Sequence, residues 1–138
     1  MLSILLATIS CSKTDNEKME RILDADEFYI QKNTYGGLAG YHEQHFHWKK
    51  GEYETLIIID EGTDYQTFVR MEGKEDLLKA FLKEAVATNV PRKSMSNSCV
   101  TGIDSEYIIR NGLTKLRLKP SSESDSIFSL IVYQPKNE

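Results

Sequence analysis

The sequence predicts an α+β fold: an antiparallel sheet of about seven strands, in the order β-β-β-β-α-β-β-β, with one main helix packed on one face. Three observations carry this expectation. Residues 41–49 alternate with period two, residues 74–88 place apolar side chains at helical spacing, and Asn111-Gly112 separates two β-rich runs as a hairpin turn does. No crossover helix stands between the strands of the first or last group, so nothing demands a parallel sheet.

Residues 28–32 open the domain as a short β-rich run, closed by a stretch with Gly36, Gly37 and Gly40. In residues 41–49 the even positions His42, Gln44, Phe46 and Trp48 share one face, and the odd positions Tyr41, Glu43, His45, His47 and Lys49 share the other. The aromatic residues mark the even face as the core side. Residues 53–59 are so apolar that they read as a central strand, and residues 65–71 follow as the next member of a meander. The helix at 74–88 groups Leu77, Leu78, Phe81, Leu82, Ala85 and Val86 on one side. Glu75 and Asp76 favour the positive end of its dipole, and Pro91 ends it. Residues 107–110 and 113–118 form the hairpin, for which Asn-Gly predicts a type I′ turn. Residues 120–125 read as a flexible connection and residues 127–133 as a closing strand.

With 17 Lys and Arg against 21 Asp and Glu the chain carries a formal charge of −4, which argues against a nucleic-acid binder with its basic stripe. Residues 11–27 hold three basic and six acidic side chains, a net of −3, so most of the acidity lies near the N-terminus. A chain of 138 residues fits one domain able to bury a core without disulfides or metals.

Residues 1–10 are apolar and uncharged, and end at Cys11. They are too short to cross a bilayer as a helix, which takes about 20 residues. Thr8-Ile9-Ser10-Cys11 resembles the lipobox of bacterial lipoproteins, in which the cysteine becomes the lipidated N-terminus. The resemblance implies a signal peptide over 1–10, lipidation of Cys11 and an acidic tether over 11–27; the alternative for that stretch is a solvated linker with a short amphipathic turn at Met19, Ile22 and Leu23, and the patterns that follow read as a single α+β domain over 28–138. The basic n-region of such signals is missing. Ser12 after the cysteine resembles the outer-membrane sorting pattern, and the acidic residues beyond it resemble surface-export tethers. The expected location is therefore the bacterial cell envelope, on the outer membrane, facing periplasm or cell surface. Cys99, in a polar loop, reads as a half-buried thiol; a Cys11–Cys99 bridge is the alternative if the N-terminus is retained.

All three histidines fall within residues 42–47. On a strand, Glu43, His45 and His47 project from one face and make a two-His-one-carboxylate set for Zn²⁺ or another divalent ion, or for hydrolysis. The competing reading is a solvated strand face. No nucleophile elbow, P-loop, dinucleotide fingerprint, EF-hand loop or His-Glu-x-x-His helix is present. The sequence accordingly predicts a non-enzymatic protein without a cofactor, which binds a protein partner such as a toxin or protease. Its candidate contact residues are Tyr35, Leu38, Tyr41, His45 and His47, since Tyr and His give contact area with polar tips.

Phe28-Tyr29-Ile30, followed by Tyr35-Gly36-Gly37-Leu38-Ala39-Gly40 and then by strands, a helix and a late hairpin, resembles the emfourin group of bacterial inhibitors of thermolysin-like metalloproteases. That group carries Gly-Gly-Phe-Ala-Gly after its first strand, with Phe where this chain has Leu38. The resemblance implies an inhibitor, and assigns no inhibitory residue here.

Overall fold

A computed structural model describes residues 13–36, 38, 40–51, 54–60, 66–89 and 104–133. The described elements are α1 (Asp15–Asp24), β1 (Glu27–Tyr35), β2 (His42–Lys49), β3 (Thr55–Asp60), β4 (Gln66–Arg70), α2 (Glu75–Ala87), β5 (Asp104–Asn111), β6 (Thr114–Leu118) and α3 (Ser122–Val132). The strands form one sheet in the order β4-β3-β2-β1-β5-β6, with every neighbouring pair antiparallel. The fold is α+β, as the sequence predicts, and the described residues form six strands where about seven are expected, with three helices where one main helix is expected.

One face of the sheet is buried because alternate residues on each strand are apolar and the helices bring their own apolar stripes against them. Phe28, Ile30, Phe46, Trp48, Leu56, Val69, Tyr107, Ile109, Leu116 and Leu118 come from the strands. Met71 after β4, Met19 and Ile22 of α1, Leu78, Phe81, Leu82 and Ala85 of α2, and Phe128 and Ile131 of α3 complete the core. At its centre, the Phe128 ring lies 4.9–5.0 Å from those of Phe46, Phe81 and Tyr107, edge-on or tilted, which suits the ring quadrupoles. The even face of β2 is the core side, as its aromatics indicate.

Two segments differ from the sequence expectation. Residues 127–133, expected as a strand, form the second half of α3 and its C-cap Tyr133, and residues 121–125, expected as a flexible connection, supply its N-cap and first turn: Ser121 Oγ accepts from Ser124 N. Ser124, Phe128 and Ile131 are buried at helical spacing, and that face outweighs the β-propensity of the apolar run. Lys74 Nζ donates to the Ile131 and Tyr133 carbonyls, 2.8 and 2.9 Å away, and so caps the negative end of α3 from the start of α2. Residues 15–24, expected within a solvated tether, form α1, closed by a capping box between Thr14 and Glu17. Ile22 is fully buried, so α1 packs into the folded body in place of forming a solvated tether.

The late hairpin forms, with a turn one residue on from the expected one. Asn111 pairs with Thr114, which leaves Gly112 and Leu113 as the two loop residues. Gly112 has φ +53° while Leu113 does not take positive φ. That pattern suits a type II′ turn rather than type I′. Asn111 turns its side chain to the Glu27 carbonyl instead, at 2.6 Å.

Candidate functional site: the open face of the sheet

Among the described residues no helix covers the second face of the sheet, and register lays its side chains out in rows. One row runs Lys115, Arg110, Tyr29, His47, Ile57, Phe68 from β6 to β4. The next runs Arg117, Ile108, Gln31, His45, Ile59, Gln66. The first row passes from basic groups on β5 and β6, through Tyr29 and His47 on β1 and β2, to apolar ones on β3 and β4, while the second mixes Arg117, Ile108, Gln31, His45, Ile59 and Gln66 without that gradient. Phe68 is 59% exposed and Tyr29 50%, and Ile59 is also exposed. Exposed large apolar groups aligned on one sheet face are more informative than the same groups scattered singly.

Polar contacts hold the middle of this surface in place. Tyr29 stacks on His47, with ring centroids 4.1 Å apart and planes 15° from parallel. His47 Nε2 lies 2.9 Å from Glu27 Oε2. Gln31 Nε2 donates to Asn33 Oδ1 at 3.0 Å, and the Tyr41 hydroxyl lies 3.2 Å from the same oxygen. Glu43 accepts from the Tyr41 hydroxyl, and its other oxygen lies 2.6 Å from His45 Nε2. These contacts, led by the Tyr41 hydrogen bond and with the Arg110 charge adding to them, hold the Glu43 carboxyl below its ordinary range.

Of the contact residues expected from sequence, Tyr35 ends β1 and His45 and His47 lie at odd positions of β2, on this face, while Tyr41 immediately precedes β2. The Tyr35 and Tyr41 rings are 5.1 Å apart. Leu38 stands fully exposed in the loop between β1 and β2, which Gly36 and Gly40 close through a backbone hydrogen bond of 3.1 Å, both with positive φ. That loop holds the stretch on which the emfourin resemblance rests. Cys11 and Cys99 lie outside the described residues.

The metal set expected as the alternative does not assemble. Glu43 is engaged by Tyr41 and His45, while His47 turns to Glu27 across the strand pair and stacks on Tyr29. Among the described residues no group of three or more His, Cys, Asp or Glu is placed to hold a metal ion. Residues spaced by i, i+2 on a flat strand have backbones about 6–7 Å apart, and His47 takes Glu27 of β1 as its partner while His45 keeps to Glu43 of its own strand.

Tyr29, Phe68, Ile57, Ile59, Arg110 and Lys115 were not singled out in the sequence. For Tyr29 and Phe68 the signal was present, since each has the opposite parity to a core neighbour, Phe28 or Val69. Compared with family models, curated proteins and solved structures, the chain finds no match in any of the three. Among the described residues no helix is long and apolar enough to cross a membrane.

Proposed function

We propose that this chain is a non-enzymatic, lipid-anchored protein of the bacterial cell envelope whose α+β domain binds another protein, as an inhibitor or a toxin-immunity protein does, through the open face of its sheet. The observation that supports it is the graded surface itself. Aromatic and aliphatic side chains lie beside Arg110 and Lys115 on a face that hydrogen-bonded strands keep rigid, so little ordering is needed on docking. The complementary partner presents an apolar patch flanked by an acidic one.

The anchor rests on the lipobox resemblance at Cys11. Because α1 packs into the body, a lipid on Cys11 would be joined to that helix by residues 12–14, which span about 10 Å at full extension. The domain would then lie close to the outer membrane, in place of swinging on a long tether.

The test is capture of a partner from envelope extract with wild-type protein and with the variants Phe68→Glu and Arg110→Glu. Both positions are exposed, so both variants are expected to fold. A specific protein retained by wild type and lost with each variant supports the reading. Equal capture by all three proteins, or turnover of an ester, peptide or glycan substrate, contradicts it.

A further inference from the structure

Two leucines between strands stand fully exposed, Leu38 in the loop between β1 and β2 and Leu113 in the turn between β5 and β6. A single exposed leucine carries no message, so the surroundings decide what each can do. Register places the two at opposite ends of the sheet. β1 ends at Tyr35, opposite Asp104 of β5, whereas the β5–β6 turn lies at the other end, where the Asn111 side chain donates to the Glu27 carbonyl.

The N-terminus of α1 lies toward the Leu38 end. Asn89 Nδ2 donates to Asp15 Oδ2 at 3.1 Å, Lys119 N donates to Asn89 Oδ1 at 3.0 Å, and Lys119 Nζ lies 3.3 Å from Asp104 Oδ2. These contacts step from the first residue of α1 to the strand position paired with Tyr35. The other terminus of α1 leads into Glu27, at the Leu113 end. Residues 12–14 span about 10 Å at full extension, so a lipid on Cys11 would enter the membrane beside the end that carries the β1–β2 loop.

The two ends also differ in charge. Residues 33–42 hold no Asp, Glu, Lys or Arg. At the base of the loop the Tyr35 and Tyr41 rings lie 5.1 Å apart, and Tyr41 is half exposed. Apolar rings with polar tips favour the boundary between lipid headgroups and acyl chains. The carboxylates that border the loop are already engaged, Glu43 by the Tyr41 hydroxyl and His45, and Asp104 by Lys119. Exposed Lys13, just before α1, adds a positive charge that suits anionic headgroups. The Leu113 end is instead charged in both signs, with Asp26, Glu27, Lys49, Lys50, Arg110 and Lys115.

We propose that the β1–β2 loop, with Leu38 at its tip and Tyr35 and Tyr41 at its base, touches the lipid surface in which Cys11 is anchored and so sets the orientation of the domain. This rests on the lipid anchor proposed above. The acyl chains supply the affinity, and the loop supplies a second point of contact on the same end of a rigid body, which restricts its tilt as one contact on a short stem does not. With that end down, the strands stand along the membrane normal. The open face of the sheet then looks sideways, clear of lipid, and Leu113 points away from the membrane.

The test uses protein purified from a lipoprotein-processing host and reconstituted in vesicles of phosphatidylethanolamine and phosphatidylglycerol, with or without bromine on the acyl chains. Leu38→Trp and Leu113→Trp each add one reporter at a fully exposed position, so both variants are expected to fold. The chain's single native tryptophan, Trp48, is buried, and wild type supplies its background. Both variants carry the same indole, so its own affinity for the interface does not separate them. We expect the emission added at position 38 to shift to the blue on reconstitution and to lose most of its intensity in brominated vesicles, while that added at position 113 does neither. The mass of each protein reports the lipid on Cys11 separately. With the lipid present, quenching at neither position, or equal quenching at both, overturns the role of the loop and leaves the anchor standing. A mass without the lipid overturns the anchor, and the proposal with it.

Discussion

Glu43 shows how a single residue on the open face is set by its neighbours rather than by its own strand position. Tyr41 and His45 hold it ionised, so its folded pKa lies below the unfolded value. Such a carboxylate contributes stability above the ordinary carboxylate range and loses it as pH falls through the folded pKa. Acid titration of the melting temperature should therefore show a smaller loss in Glu43→Gln than in wild type, and parallel curves would refute the assignment. On the buried side, Phe128 joins α3 to Phe46, Phe81 and Tyr107, and Phe128→Ala should cost about 3–5 kcal/mol in denaturant unfolding. Tyr107 is held by a different means: its hydroxyl donates to Asp125, and burial with that acceptor raises its pKa well above the usual tyrosine range. Lys32 Nζ completes this contact, 3.4 Å from Asp125. The parity of Phe46 and Trp48 was legible from the strand's own period. The fate of the histidines was not, because Glu27 and Tyr29 meet His47 only through the β1–β2 register, which one strand's sequence does not contain.

Among the elements, the central meander, α2 and the late hairpin were legible because each carries a strong local pattern. α1 and α3 were misread for opposite reasons. Residues 14–17 hold the capping-box signature Thr-x-x-Glu, but the high charge of the segment suggested a solvated tether. The run at 127–131 looked strand-like because it is rich in Ile and Phe, and its helical spacing showed only once Ser124 was included. Tertiary contacts then fix both. Asn89 donates to Asp15 Oδ2 at 3.1 Å and accepts from Lys119 N at 3.0 Å, joining the end of α2 to α1 and to the chain after β6. If α1 is part of the body, Ile22→Ala should destabilise the whole domain by about 2–5 kcal/mol in a single cooperative transition. A solvated tether would leave the unfolding midpoint unchanged.

Among the described residues, three helices cover one face of the sheet and none covers the other, so the two sides can serve different purposes. The helix side carries the core. The open side carries a gradient from Arg110 and Lys115 to Phe68, with His45 and His47 between them. Position within the cell was approached from residues 1–11 and chemistry from the face of β2, but neither period nor composition could place β4 and β6 at opposite edges of one surface. The most direct measurement is site-specific photo-crosslinking in the native envelope, with a benzophenone side chain in place of Phe68 on the open face or, as control, in place of exposed Lys83 on α2. The account predicts one discrete protein adduct from position 68 and none of that mass from position 83. The same adduct from both positions, or none from position 68, would contradict a partner docked on the open face.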